Sequence, residues 1–274
     1  MFIRFLSVAA VAVLLALLGS CSSAPRYQGM DADQLYELGV REFESGDWDE
    51  AVRVFERLIF SDPTYSRMVE SRLFLARAYF NKEEYITAVS EFTRILDRHP
   101  GHALAPEASL GVCRAFVELS PIVQRDQEYT VQALNACGNV VADFGASEVS
   151  LEAQTLLDQM VEKLARKVLS TGDYYFRRKY FDSALIYFNL LLEDYPRTEA
   201  ASWALLRLYQ SYSEIQWETE AEEARDRLLS EFPDSEAARE VRTAGDGPGS
   251  GQGSPGSASA AGAENAGHRT REGT

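Results

Sequence analysis

The chain has 274 residues and a formal net charge of −15, with 42 acidic against 27 lysine and arginine side chains. A negative field of this size repels phosphate backbones, which excludes an extended nucleic-acid footprint. Hydrophobic residues make up 46% of the chain, so it can bury a core, and its length suits stacked repeats better than one compact bundle.

The N-terminal segment, positions 1–20, has the composition of a signal peptide. Arg4 precedes an apolar run over residues 5–18, which is shorter than the about 20 residues that cross a bilayer. The run ends in Leu18-Gly19-Ser20-Cys21, which resembles a bacterial lipobox. This resemblance implies cleavage before Cys21 and a covalent lipid on its sulfur, and Ser22 implies an outer-membrane address. The alternative is an ordinary secretory signal. Residues 21–30 form the tether.

A spacing of small residue, aromatic residue and proline recurs after this tether. Ala51 is followed by Phe55 four residues later and by Pro63 twelve residues later. The period from Ala51 to Ala88 is 37 residues, and it is 37 again from Ala184 to Ala221. The other copies are Ala88-Phe92-Pro100, Ala133-Cys137-Gly145, Ala184-Phe188-Pro196 and Ala221-Arg225-Pro233. A fixed period of this size indicates stacked helix pairs.

Small residues also occupy a fixed place before this motif, since Gly39 precedes Ala51 by the same interval as Gly172 precedes Ala184. Such residues let two antiparallel helices approach closely while large side chains fill the space beside them. We therefore predict an all-α protein, an α-solenoid of five tetratricopeptide-like helix pairs. Residues 31–145 hold the first three pairs, and residues 146–242 hold a linking helix and the last two.

The period is interrupted twice. Residues 120–130 form an insert in the third pair, and residues 147–170 have helical periodicity and predict one long linking helix. After Ser235 we expect the chain to fray. Residues 243–274 are rich in Gly, Ser and Ala and lack apolar bulk, which predicts a disordered tail.

Cys113 and Cys137 fall on the first and second helix of the third pair. An exported protein permits a disulfide there. The alternative is that both are small buried apolar residues. No set of residues has the spacing of a catalytic or metal site, so we expect no enzyme activity, no metal and no cofactor other than the lipid on Cys21.

The insert gives the most specific resemblance. It reads Ser120-Pro121-Ile122, then Arg125-Asp126-Gln127 and Tyr129-Thr130. Together with the lipobox, the repeats and the long helix, it resembles the BamD family, the lipoprotein subunits of the outer-membrane β-barrel assembly machine. The resemblance implies a periplasmic scaffold, lipid-anchored to the outer membrane, that binds unfolded outer-membrane proteins, accessory lipoproteins and the central barrel subunit. The alternative is a tetratricopeptide lipoprotein that coordinates peptidoglycan or division-site assembly.

Two surfaces are predicted, the first from the repeat register and the second from a run of cations. In a tetratricopeptide stack the first helices line the concave face, so their aligned residues predict a groove for the targeting end of a substrate. The predicted groove residues are Tyr36, Val40, Phe43, Leu73, Arg77, Phe80 and Arg114. The alternative for the aromatic residues is local core. Arg177, Arg178 and Lys179 form a cationic turn in an acidic protein and predict the docking surface for the barrel subunit, or else a plain solvated turn.

The lipid assignment predicts that Cys21→Ser gives a soluble periplasmic protein with an intact repeat array, because the acyl chains supply the membrane affinity. The measurement is incorporation of radiolabelled palmitate. Equal labelling of the variant and the unaltered protein would show that Cys21 does not carry the lipid.

Overall fold

The computed structural model describes residues 27–245, and the secondary structure in that part of the chain is helical. Its helices are α1 (Ala32–Ser45), α2 (Trp48–Ser61), α3 (Met68–Asn81), α4 (Tyr85–Arg98), α5 (Ala105–Leu119), α6 (Glu128–Phe144), α7 (Glu148–Arg177), α8 (Phe181–Asp194), α9 (Glu199–Glu214), α10 (Glu218–Glu231) and α11 (Glu236–Gly245). The first ten are the helices of the five predicted pairs. Cys21 and residues 246–274 lie outside the described residues.

The helix ends follow from local sequence. The Asp31 carboxylate accepts a hydrogen bond from the Gln34 amide at 2.9 Å, while the Gln34 side chain accepts one from the Asp31 amide at 3.0 Å. This reciprocal cap satisfies two amides that have no partner within the helix. Gly46 ends α1 with φ of 82°, a conformation that glycine adopts without steric cost. Helix α1 therefore begins directly after Asp31.

The described chain divides into two compact units, residues 27–201 and residues 202–245. In the first unit successive helices from α1 to α8 pack against one another. The first helices α1, α3 and α5 are also in contact, α1 with α3 and α3 with α5, which places the first three pairs side by side. The predicted boundary after residue 145 does not coincide with this division, because α7 packs on both α6 and α8.

The long helix α7 has 30 residues, which gives a length of about 45 Å. The predicted linking helix over residues 147–170 is its first part. It continues without a break through Gly172, so the same helix is also the first member of the fourth pair. One continuous element therefore connects the third and fourth pairs.

Close helix approach is visible at the glycines. The ring of Phe55 packs directly on Gly39, and a Cβ on that glycine would lie 2.7 Å from it. Phe188 packs in the same way on Gly172, and its ring would be closer still to such an atom. Both rings are fully buried. The small residue and the aromatic residue of the repeat therefore form one packing unit.

The third pair replaces this contact with a disulfide. Cys137 occupies the aromatic position, and it is bonded to Cys113 of α5 with the two Cα atoms 4.8 Å apart. The two cysteines are 24 residues apart in sequence. This separation is larger than that between Gly39 and Phe55, because the insert lies between the two cysteines. Cys113 therefore stands where Gly39 stands in the first pair.

The insert is fixed to α7 by two lysines. Lys163 donates to the Ser120 hydroxyl at 2.8 Å and to its carbonyl at 3.1 Å, and Lys167 donates to the Gln124 carbonyl at 3.2 Å. Burial lowers the pKa of Lys163. These bonds tie the loop between α5 and α6 to the helix that follows both.

The expected fraying after Ser235 is wrong for the segment that follows it directly, which forms α11. Ala237, Ala238 and Val241 of this helix are buried, and it packs against α10. This buried face stabilises α11, which ends at Gly245 and so includes the first three residues of the predicted tail. Within residues 27–245 no helix is both long enough and apolar enough to span a bilayer.

The glycine contact predicts that Gly172→Ala destabilises the protein by about 1–3 kcal/mol, because the new methyl group would overlap the buried ring of Phe188. The matched control is Gly138→Ala in α6, where a Cβ meets no atom within 4 Å. We expect that control to stabilise by about 0.5–1 kcal/mol, since alanine is the better helix former. Urea unfolding measures both changes. Equal stability of the two variants would contradict the packing argument.

The disulfide predicts a loss of about 3 kcal/mol in the double variant Cys113→Ala/Cys137→Ala, because the bond restricts the unfolded chain. Urea unfolding with and without reductant measures this loss. Reductant should destabilise the unaltered protein and leave the double variant unchanged. Mass spectrometry after thiol blocking is the direct check, and two alkylated cysteines in the unreduced protein would refute the bond.

Candidate functional site

A pocket of about 240 Å³ lies between the first helices of the first three pairs. Its lining combines three aromatic rings, two guanidinium groups and one carboxylate. The lining residues are Phe43, Arg77, Phe80, Asn81, Phe92, Glu107, Gly111 and Arg114. Helix α1 contributes Phe43, and α3 and α5 contribute most of the others, so the pocket spans three repeats.

Four of the seven predicted groove residues meet in this pocket, namely Phe43, Arg77, Phe80 and Arg114. They come from three separate helices. The register brings them together because α1, α3 and α5 are corresponding members of successive pairs and lie side by side. Their proximity is a property of the fold, and their role in binding stays a prediction.

Neighbouring rings hold the aromatic wall in place. The Phe43 ring makes edge contacts with Trp48 and Phe74, with centroids 5.0 and 5.2 Å apart. The Phe80 ring makes an edge contact with Tyr85 at 5.3 Å. Edge-to-face contacts of this kind add stability beyond the burial of area. The Phe43 and Phe80 rings of the pocket are therefore preorganised.

The two cations of the pocket are both paired. Arg114 forms a two-point ion pair with Glu152 of α7, with both N–O distances at 2.6 Å. Arg77 pairs with Glu107, which also lines the pocket. Burial, followed by the positive charge of Arg114, lowers the pKa of the Arg77 guanidinium. A negative group near Arg77 is therefore favourable.

Two predicted groove residues are corrected. Tyr36 and Leu73 are only 5% and 3% exposed and belong to the core. The connection between α2 and α3 covers Tyr36, because its Arg67 guanidinium lies 3.7 Å above the centre of the tyrosine ring. Leu73 packs in the core between α3, α4 and α5. Val40 is half-buried against the core of the first pair.

Glu107 is the main residue that the sequence analysis missed. An available signal was the recurrence of an acidic residue every 37 positions, at Asp33, Glu70 and Glu107. All three lie in the first turn of a first helix, where a carboxylate stabilises the helix dipole. The position in the first turn therefore already explained Glu107 from the sequence alone. Its contact with Arg77 arises only when α3 packs on α5.

The cationic turn lies at the end of α7. Arg177, Arg178 and Lys179 are exposed, and Lys179 has a φ of 60°. The Arg178 guanidinium lies 3.6 Å above the ring of Tyr174, which is 46% exposed. Tyr180 follows the turn and is 61% exposed. Three cations and two accessible tyrosines thus lie close together, and their role in partner docking stays a prediction.

Within residues 27–245 there is no group of three His, Cys, Asp or Glu side chains that could hold a metal ion. The side chains that line the pocket favour particular ligand groups. Its rings favour an apolar or aromatic group, and its guanidinium groups favour a carboxylate, which they can bind through two parallel hydrogen bonds.

The chain is similar in sequence to proteins of one family. A family model described as YfiO, outer membrane lipoprotein, matches residues 28–228. The outer membrane protein assembly factor BamD of Caulobacter vibrioides is 27% identical over 231 residues, which cover 83% of this chain and 76% of that protein. BamD of Rickettsia prowazekii is 22% identical over 230 residues, covering 83% and 92%.

A solved structure from yeast, the TPR2AB-domain:pHSP90 complex of Sti1, covers 76% of this chain and 80% of its own, with a TM-score of 0.41 and 13% identity. The family model spans well over half of the chain. The repeats, the insert and the long helix fall largely within the matched residues. The chain therefore belongs to the YfiO family of outer membrane lipoproteins, which is the BamD family that its sequence resembles.

Proposed function

We propose that this protein is a non-catalytic scaffold for outer-membrane protein assembly, held on the periplasmic face of the outer membrane by a lipid on Cys21. Support comes from its family and from the name that its relatives carry, outer membrane protein assembly factor. Its partners are unfolded outer-membrane proteins, the central barrel subunit and accessory lipoproteins. The proposal requires no cofactor beyond the lipid.

The pocket between α1, α3 and α5 is the observation that carries the substrate part of this proposal. Its volume of about 240 Å³ is below the about 300 Å³ at which small-molecule sites begin. It therefore suits one side chain and a terminal group better than a cofactor. A chain end with an aromatic last residue would offer a ring to Phe43 and Phe80 and a carboxylate to Arg77 and Arg114.

The cationic turn is the proposed docking surface for the barrel subunit. Its exposed arginines and tyrosines are residue types that are enriched at protein interfaces. In a chain of net charge −15, three consecutive cations also give a local attraction for an acidic partner surface. Substrate binding and subunit docking then use different helix pairs, so the protein can hold both at once.

These assignments predict two separable defects. Arg77→Glu should weaken binding of a synthetic peptide ending in phenylalanine by at least about tenfold, since it replaces a charge-assisted bond by repulsion. Copurification of the barrel subunit should persist. Arg177→Glu/Arg178→Glu should weaken copurification and leave peptide binding intact, with a smaller loss at high salt because salt screens exposed charges. Fluorescence anisotropy and detergent pull-down measure the two effects.

Circular dichroism melting checks that both variants are folded. The same peptide with an amidated end is the ligand control, because it keeps the ring and removes the carboxylate. The division of function is refuted if both variants fail in both assays or if neither fails in either.

A further inference from the structure

We propose that Glu107 acts as an internal competitor for the ligand carboxylate, so that the substrate pocket regulates its own affinity. This inference rests on the proposed function of the pocket. It concerns a residue that has no role in the substrate proposal itself. Glu107 forms an ion pair with Arg77 in the free protein. The carboxylate of a chain end must displace Glu107 to reach the Arg77 guanidinium.

The positions of the two carboxylates distinguish their roles. Glu107 lines the pocket together with Arg77, and the two side chains are 34% and 37% exposed. Their ion pair is thus accessible to an entering ligand. Glu152 is not among the lining residues, and it holds Arg114 from α7 through two bonds. Glu152 therefore orients its arginine, whereas Glu107 takes the place that a ligand would use.

Charge within the pocket leads to the same conclusion. The lining has two cations and one anion, so its formal charge is +1 with Glu107 and +2 without it. Arg77 and Arg114 line the same pocket, so an anion beside Arg77 is favourable when no ligand is present. Glu107 supplies that anion, and a ligand carboxylate would take its place beside Arg77.

This exchange has a functional consequence for a scaffold. A carboxylate alone gains little, because it breaks one ion pair to form another of similar kind. A ligand gains when a ring also enters the space beside Phe43 and Phe80. Glu107 thus selects for a ring and a terminal carboxylate together, and it keeps the affinity low enough for the substrate to leave.

The test is Glu107→Gln, which keeps the size and the hydrogen-bonding capacity of the side chain and removes the charge. We expect the variant to bind a peptide ending in phenylalanine with a free carboxylate about fivefold more tightly, the size expected for losing one partly exposed ion pair. The amidated peptide should bind both proteins equally. Glu193→Gln on α8 is the matched control, because it removes the same charge from an exposed position outside the pocket.

The outcomes are distinct. Tighter binding of the carboxylate peptide alone, with Glu193→Gln unchanged, supports the competition. This includes the case in which only the variant binds measurably. Unchanged or weaker binding by Glu107→Gln, in a protein whose Arg77→Glu variant has lost affinity, overturns the competition and leaves the substrate site in place. If neither protein binds either peptide, the substrate site and the competition both fail. Circular dichroism melting confirms that the variants are folded.

Discussion

The close approach of two helices at a small residue is the contact on which this structure depends. In the first and fourth pairs a glycine on the first helix receives the ring of a buried phenylalanine from the second. The ring occupies the space that a methyl group would need, so the helices come closer than larger side chains permit. Successive pairs of the first unit stack on one another. A larger side chain at one of these glycines would therefore also shift the first helices of the pairs that follow in that unit.

In the third pair a covalent bond, instead of a glycine–phenylalanine contact, holds the two helices together. The candidate site depends on this bond. The disulfide joins Cys113 of α5 to Cys137 of α6. Cys113 is adjacent to Arg114, and Gly111 lies two residues before it against the ring of Phe92. The bond and the ring together fix the face of α5 that lines the pocket. The lysines of α7 add a further restraint by holding the insert that follows α5.

Electrostatics gives this acidic chain its two candidate binding surfaces. Each arginine of the pocket forms an ion pair with a carboxylate. One carboxylate lies in the pocket and the other belongs to α7. The cationic turn instead leaves Arg177 and Lys179 exposed. Partly buried charges respond to their immediate partners, whereas exposed charges act over the screening length of the solution. The pocket therefore suits selective recognition of a chain end, and the turn suits attraction of an acidic protein surface.

The sequence by itself determined the helix pairs, because the period of 37 residues and the spacing of small, aromatic and proline residues are local signals. It also placed Phe43, Arg77, Phe80 and Arg114 on one surface, since register alone decides which positions of successive first helices align. Only the tertiary structure decided that Tyr36 and Leu73 are core, that Cys113 and Cys137 are bonded, and that Glu107 reaches Arg77. The physical reason is that burial and pairing depend on distances between helices, and helical periodicity gives the direction of a side chain without naming the atoms it will meet.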